Sequence, residues 1–190
     1  MEFARGRTSA LRAYIGLEPP LTTRRSVSAA LARLSSAPAA AWVGLGHFHV
    51  TLRFLGDVPA ESRDFDHLRN ACAKIARRRV HFGAKIQLFG PNALVVPVTG
   101  ADDLATAARA TVRKEASAHE PLTFFGHMTV ALPTTAGELE WASSMLGAPL
   151  SGGWDVDEVC VFASETLCGA KRYRVLARIP LAGTAAVRER

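Results

Sequence analysis

The sequence is poor in cysteine, and its three cysteines follow no regular spacing. Cys72, Cys160 and Cys168 are an odd number, and no two of them form a CxxC pair. Disulfide frameworks and cysteine-based zinc sites use even numbers and short, regular spacings. The pattern therefore argues against both, and we expect three reduced thiols, most of them buried.

Long apolar runs and glycine-rich phosphate loops are also lacking. No stretch approaches the roughly 18 consecutive apolar residues that a membrane-spanning helix needs, and the charged N-terminus does not resemble a signal peptide. We therefore expect a cytoplasmic protein with no membrane association. The absence of Walker and Rossmann glycine patterns argues against both of those nucleotide-binding folds.

What the sequence does contain is enough apolar material for one well-packed body. Of the 190 residues, 48% are hydrophobic, which suits a single domain or one body made of two lobes. The net charge is +6, from 23 Lys and Arg against 17 Asp and Glu. A basic balance favours anionic partners such as RNA or nucleotides.

Apolar periodicity and turn residues predict two similar series of elements. The first series has strands at 11–17, 50–55 and 81–89. Its helices run from Thr22 or Thr23 to about 34 and from about 59 to 79. The second has strands at 93–98, 124–132 and 154–163, helices at 102–118 and 137–146, and a last strand at 171–180. Arg77, Arg78 and Arg79 are expected to end the 59–79 helix, where cations suit the helix dipole.

This order predicts an α+β fold with two pseudo-symmetric lobes around a central cleft. Each lobe is expected to hold an antiparallel-type sheet with flanking helices, and the internal repeat to cover 11–89 and 93–163. We expect one domain over 1–182, a flexible tail over 183–190 and a monomer.

One short motif occurs in both series. His49-Val50-Thr51-Leu52 returns as His127-Met128-Thr129-Val130, 78 residues later, each time in the middle strand of its series. Strand alternation puts His and Thr on one face and the aliphatic pair on the other. If the lobes pack with two-fold symmetry, two histidines and two hydroxyls converge on one cleft.

Such a group of side chains suits phosphoryl chemistry without a metal. One neutral imidazole can take a proton from a nucleophile while the other, protonated, gives its proton to the leaving oxygen. Threonine hydroxyls two positions along can donate to the non-bridging phosphate oxygens. No metal or other cofactor is expected.

The two motifs and their flanks resemble a known family. HVTLRFLGDV and HMTVAL are similar to the paired HxTx motifs of the 2H phosphoesterase superfamily, and RAYIGLEPP and VDEVCVFASETLCGAKRYRVLARIPL to its opening strand and closing hairpin. Within the superfamily the chain most resembles the RNA 2′,3′-cyclic phosphodiesterases, also called the 2′-5′ RNA ligase family. The likeness covers nearly the whole chain.

The resemblance implies hydrolysis of a terminal 2′,3′-cyclic phosphate on RNA to a 2′-phosphomonoester, with reversible 2′-5′ ligation as a related reaction. It implies His49 as proton donor and His127 as proton acceptor. Thr51 and Thr129 would hold the phosphate.

Two positions depart from the family pattern. Leu132 stands where the second motif often has an arginine, and Gly126 where it often has proline. Strand alternation places Arg53 on the face of His49 and Thr51, so Arg53 is a candidate to replace the missing phosphate ligand. Its alternative is a side chain that points to solvent.

Other histidines and aromatics lack a matched partner. His47, His67, His81 and His119 are expected at the cleft edge, in structural roles or in solvent. Four phenylalanines are candidates to stack a terminal base: Phe48, Phe54, Phe124 and Phe125. Strand alternation favours a core position for Phe54. Phe48 and Phe124 are also favoured as core residues.

Two other functions fit the same motifs. One is an RNA- or nucleotide-binding module with little turnover, which the leucine at position 132 keeps open. The other is a 2H phosphodiesterase for a small cyclic nucleotide, such as a cyclic phosphate of ADP-ribose.

Overall fold

The computed structural model describes residues 10–34, 41–59, 65–111, 123–167 and 170–183. Four helices lie within these residues: α1 (Leu21–Leu34), α2 (Asp66–Cys72), α3 (Asp102–Ala110) and α4 (Ala136–Ser144). The strands are β1 (Ala10–Leu17), β2 (Val50–Pro59), β3 (Arg78–Phe82), β4 (Gln87–Phe89), β5 (Ala93–Thr99), β6 (His127–Ala131), β7 (Gly153–Val156), β8 (Glu158–Leu167) and β9 (Ala170–Pro180).

The described strands form one sheet with two lobes. Its order is β7-β3-β5-β6-β2-β1-β8-β9, with β4 also paired to β5, and the pairs between these strands are antiparallel. We call β2, β1, β8 and β9 the first lobe, and β6, β5, β3, β7 and β4 the second. The lobes join where β2 pairs with β6 through Val50 and Met128. This is the predicted α+β class with two antiparallel lobes.

One face of this sheet carries the main core. Apolar side chains of all four helices pack there, among them Leu31 of α1, Cys72 of α2, Leu104 of α3 and Ala142 of α4. A second, smaller cluster of Tyr14, Cys160 and Phe162 is buried separately from this core. The covered face gives each strand its alternation of buried and open positions.

The two lobes are not the two halves of the sequence. β3 comes from the first half but pairs with β5 and β7 of the second lobe. β8 comes from the second half but pairs with β1 of the first lobe. Each half therefore gives two strands to the other lobe, β3 and β4 from the first half and β8 and β9 from the second, and the predicted repeat boundaries stay a prediction.

The predicted helix over 59–79 is wrong at its C-terminal end. α2 ends at Cys72, and the residues that follow it bond to the segment after β9: the N–H of Ala182 donates to the carbonyl of Ile75. Arg78 and Arg79 begin β3 instead of ending a helix, and they form ion pairs with Asp103 and Asp155. The start of the predicted helix, 60–64, lies outside the described residues.

Two predicted strands are each interrupted. The strand expected over 81–89 breaks at 83–86, where Ile86 and Ala84 bond to the segment 147–150 instead of β5. The strand expected over 154–163 divides at Asp157 into β7 and β8, which belong to different lobes. Tertiary pairing, which local patterns do not record, decides both breaks.

Several smaller expectations have a clear outcome. Cys72 and Cys160 are free and buried, and burial raises the pKa of the Cys72 thiol to about 11. Cys168, His119, the helical prediction over 112–118 and the tail 184–190 lie outside the described residues. No helix in the described part of the chain has the length and apolar character to cross a membrane.

Candidate active site

The two HxTx motifs meet at the junction of the lobes. Val50 and Met128 pair directly across β2 and β6, and both are fully buried in the core. The residues on either side of them are half-exposed and alternate to the opposite face of the sheet: His49, Thr51, His127 and Thr129. All four predicted site residues therefore lie together on the open face.

The register between β2 and β6 sets each histidine opposite the threonine of the other motif. In an antiparallel pair the neighbours of a bridged residue face each other in reverse order, so the Val50–Met128 pair sets His49 opposite Thr129 and Thr51 opposite His127. Each histidine thus has the other motif's hydroxyl as its neighbour across the strands. The two histidines stand on one diagonal and the two threonines on the other.

Both histidines make the same hydrogen bond to the backbone. His49 Nδ1 donates to the carbonyl of His47 at 2.7 Å, and His127 Nδ1 donates to the carbonyl of Phe125 at 2.8 Å. A carbonyl can only accept, so the proton of each neutral ring is on Nδ1. Each Nε2 is then an acceptor when the ring is neutral and a donor when it is charged.

The imidazole of His49 is packed among aromatic rings of the first lobe. Its centroid lies 4.7 Å from that of Tyr14, 5.3 Å from Tyr173 and 6.0 Å from Phe162. Desolvation by this packing lowers the pKa of His49, and the nearby His127 lowers it further, while the bond to the His47 carbonyl opposes the shift. The neutral ring is therefore favoured in the unliganded protein.

His47 lies at the edge of the same cluster. Its ring meets Tyr173 at 4.9 Å between centroids in a T-shaped contact, and its side chain is half-exposed. A position at the cleft edge was expected. Its carbonyl has a further role, because it holds Nδ1 of His49.

The imidazole of His127 has a more open aromatic environment in the second lobe. Phe89 stacks on it at 4.2 Å and Phe125 at 5.6 Å between centroids. Phe89 of β4 and Phe125 are 38% and 41% exposed. The two histidines thus share their backbone bond but differ in their surroundings.

A β-bulge follows the threonine in each motif. Thr51 pairs with Gly16 and Arg53 with Ile15, so Leu52 is an extra residue; Val130 is extra in β6, where Thr129 pairs with Val95 and Ala131 with Leu94. A bulge shifts the alternation of the residues after it. The two-fold likeness of the motifs therefore extends to the backbone.

The bulge makes the predicted place of Arg53 wrong. Arg53 is buried at 7% exposure, and its Nη1 donates to the carbonyl of Arg109 at the end of α3 at 2.7 Å. It lies neither beside Thr51 nor in solvent. Phosphate binding by Arg53 stays a prediction that this arrangement does not support.

The same bulge turns Phe54 and Leu132 outward. Phe54 is 56% exposed and contacts the ring of Tyr14 on the open face, so its assignment to the core is wrong. Leu132 holds the equivalent place after the bulge of β6 and is 45% exposed. The missing arginine is thus the counterpart of Phe54 and not of Arg53.

Two glycines let backbones approach closely beside the site. A Cβ on Gly16 would lie 2.6 Å from the carbonyl oxygen of Val50, and one on Gly126 only 2.2 Å from that of Val98. Gly126 also accepts a 2.7 Å hydrogen bond from the N–H of Val98. The departure from proline at position 126 therefore has a steric reason in this backbone.

Sequence reasoning missed the rings that hold the two imidazoles. Tyr14 and Phe162 occupy alternate positions of β1 and β8 whose faces cannot be assigned without knowing which strands pair. Phe89 lies in a three-residue edge strand with no periodic signal. Phe48, by contrast, is buried and Phe124 half-buried against the core, as favoured. Among the described residues no group of three His, Cys, Asp or Glu is placed to hold a metal ion.

Comparison with known proteins gives a family for this arrangement. Residues 17–93, from the end of β1 through the first motif, match the family model described as LigT like Phosphoesterase. Solved structures share the fold over nine-tenths of the chain. Over residues 17–93, less than half of its length, the chain is similar to the LigT like phosphoesterases, and the solved structures show that it shares their fold.

Two solved structures illustrate the likeness in fold. TT0787 of Thermus thermophilus aligns with a TM-score of 0.71 and 21% identity, covering 92% of this chain and all of that one. E. coli LigT complexed with ATP aligns with a TM-score of 0.68 and 22% identity, over 91% and 98% of the two chains. A search of curated protein sequences finds no significant match.

Proposed function

We propose that this chain is a metal-independent phosphodiesterase that opens the 2′,3′-cyclic phosphate at an RNA end to a 2′-phosphomonoester. The observation that carries the proposal is the junction of the two motifs. It sets two histidines and two threonines on one open face, with both Nδ1 atoms held by carbonyls and both Nε2 atoms available for chemistry.

The reaction needs one proton acceptor and one proton donor. We assign His127 as acceptor: its Nε2 takes a proton from water as the water oxygen attacks phosphorus. His49 is the donor, and its Nε2 gives a proton to O3′ as the P–O3′ bond breaks. The product keeps phosphate on O2′, and the two imidazoles have exchanged charge states.

The donor must first acquire its proton. Burial lowers the pKa of His49 in the unliganded protein, but an anionic phosphate beside the ring favours the charged imidazole. Substrate binding is therefore coupled to protonation of His49. The bond from Nδ1 to the His47 carbonyl supports the charged form as well.

The threonines are assigned to the phosphate. The register places Thr51 and Thr129 on the diagonal opposite to the histidines, so an anion between the imidazoles has a hydroxyl on each remaining side. Hydroxyl donors directed at non-bridging oxygens stabilise the charge that develops there.

Nucleotides are the class of ligand we propose for the cleft. The net charge of +6 favours anions, and exposed aromatic rings border His127. Solved structures of E. coli LigT with ATP, with 3′-AMP and with NADP+ share this fold. The same attack by a 5′-hydroxyl in place of water, with the P–O3′ bond breaking and O3′ taking the proton, is the corresponding 2′-5′ ligation.

The test is turnover of an oligonucleotide that ends in a 2′,3′-cyclic phosphate, with EDTA present. We expect a 2′-phosphate product from the wild type, and loss of about 10²- to 10⁴-fold in rate for His49→Ala and for His127→Ala. His67→Ala, at an exposed histidine of α2, is the matched control and should keep full rate. Full rate in either site variant would contradict the proposal.

A nucleotide-binding module with little turnover is the second candidate. Leu132 favours it, because this exposed position on the rim carries no charge for the phosphate. Calorimetry with 3′-AMP and turnover of the cyclic phosphate separate the two functions. Binding without product would favour the module, while product from small cyclic nucleotides but not from RNA would favour a small-molecule phosphodiesterase.

A further inference from the structure

Two exposed aromatic rings stack in parallel next to His127. Phe89 and Phe125 lie 5.5 Å apart between centroids with only 9° between their planes. Their planes also lie within 30° of the imidazole of His127. We call Phe89 and Phe125 the aromatic shelf.

The shelf differs from the rings beside the other histidine. Tyr14 and Phe162, which pack on His49, are only 4% and 5% exposed and fill their own space. The shelf rings are about two-fifths exposed, so each keeps open surface on which another ring could stack. Rings that only held an imidazole in place would not need their outer surface open to solvent.

We propose that the aromatic shelf is a nucleobase-stacking subsite on the second lobe. This inference rests on the proposed function, since it takes the phosphate to lie between His49 and His127. A base is joined to its phosphate through one sugar, so a base subsite must border the phosphate site. The 4.2 Å contact between Phe89 and His127 provides that border.

The chemistry of the shelf fits a base better than another apolar group. Every base has a π-face, and stacking on aromatic side chains binds single-stranded ends with little sequence preference. Leu88, on the same short strand, is 40% exposed but has no ring to stack. It is therefore a control in the same neighbourhood.

The test compares substrates with and without a base. Adenosine 2′,3′-cyclic phosphate and 1-O-methyl ribose 2′,3′-cyclic phosphate carry the same reacting group. For Phe125→Leu and Phe89→Leu we expect KM to rise about tenfold for the adenosine substrate, within the value of one stacked base. KM for the base-free substrate and both KM values of Leu88→Ala should stay within twofold.

Two results would overturn the shelf. Equal losses of kcat on both substrates would mean that the rings only position His127, and unchanged KM values on both would mean that they do not meet the base. If the wild type hydrolyses neither substrate, the proposed function fails. Calorimetry can then still show whether the aromatic shelf binds a base. Phe125→Leu must then weaken binding of 3′-AMP while binding of ribose 5-phosphate is unchanged; any other pattern overturns the subsite.

Discussion

At the scale of single residues, the two histidines have matching hydrogen bonds but different surroundings. His49 is packed against buried rings and has a lowered pKa, whereas His127 borders exposed rings. A leaving group that needs no proton separates their roles. With a nucleoside 4-nitrophenyl phosphate, we expect His49→Ala to lose far less rate than it loses with the cyclic phosphate, because nitrophenolate departs without a donor.

The other histidine supplies the control for this comparison. His127→Ala should lose the same rate, about 10²-fold or more, on both substrates, because each still needs an activated nucleophile. The measurement is kcat/KM for both variants on both substrates. If His127→Ala, and not His49→Ala, loses far less rate on the 4-nitrophenyl ester than on the cyclic phosphate, the donor and acceptor roles are reversed.

Leu132 is the second residue with a defined test. The bulge at Val130 places it where Phe54 stands in the first motif, on the exposed rim. Leu132→Arg adds a cation there, and we expect KM for the cyclic phosphate to fall about twofold to fivefold, the range of exposed charge pairs. The gain should shrink with added salt.

Leu139→Arg is the matched control for Leu132→Arg. Leu139 is also exposed, but it lies on α4, on the helical side of the sheet. The same fall in KM for Leu139→Arg would show that only net charge matters.

Arg53 is the residue whose role the structure changes most. Its guanidinium bonds to the carbonyl of Arg109, so it ties β2 of the first lobe to the end of α3. Arg53→Met keeps much of the apolar stem and removes the donor, and we expect the free energy of unfolding to fall by about 1–3 kcal/mol. Urea denaturation measures this loss of stability. A tenfold rise in KM with no loss of stability would mean that Arg53 binds the phosphate.

At the scale of elements, the entry of the chain into β6 depends on Gly126. A Cβ there would lie 2.2 Å from the carbonyl oxygen of Val98, so Gly126→Ala must push β5 and β6 apart. We expect a loss of about 2 kcal/mol, in the range of overpacked positions, and lower kcat because His127 follows directly.

Gly137→Ala is the control for Gly126→Ala. A Cβ on Gly137 in α4 would meet nothing within 4 Å, and alanine is the better helix former by about 1 kcal/mol. This variant should gain stability and keep its activity. Equal stability of the two variants would contradict the steric account of Gly126.

The sequence predicted the features that depend on local alternation and missed those that depend on strand pairing. Alternation alone was sufficient to place His49, Thr51, His127 and Thr129 on one face, because no bulge lies between them. It failed after Leu52, because this extra residue reverses the faces of Arg53 and Phe54. Bulges, and the partners that end α2 at Cys72, depend on strands distant in sequence.

At the scale of the whole molecule, the exchange of strands makes each lobe depend on both halves of the chain. Within the described residues, β3 of the first half pairs only with β5 and β7, both of the second half. α2 of the first half packs against α3 and β9, which also belong to the second. Each half forms strand pairs by itself, namely β1–β2, β5–β6 and β8–β9, but β3 and α2 are packed only through contacts with the other half among the pairs given above.

We therefore expect the two halves to fold only together. The chain can be divided in the exposed turn after Gly90, into 1–90 and 91–190. Each fragment alone should lack a cooperative unfolding transition by circular dichroism, because β1 and β2 lose β8, and β3 loses both partners. An equimolar mixture should regain the transition, and with it hydrolysis of the cyclic phosphate, since His49 and His127 lie on different fragments. A fragment that unfolds cooperatively by itself would show that a half is an independent domain, and the exchanged strands would then be an addition to a lobe that is already stable.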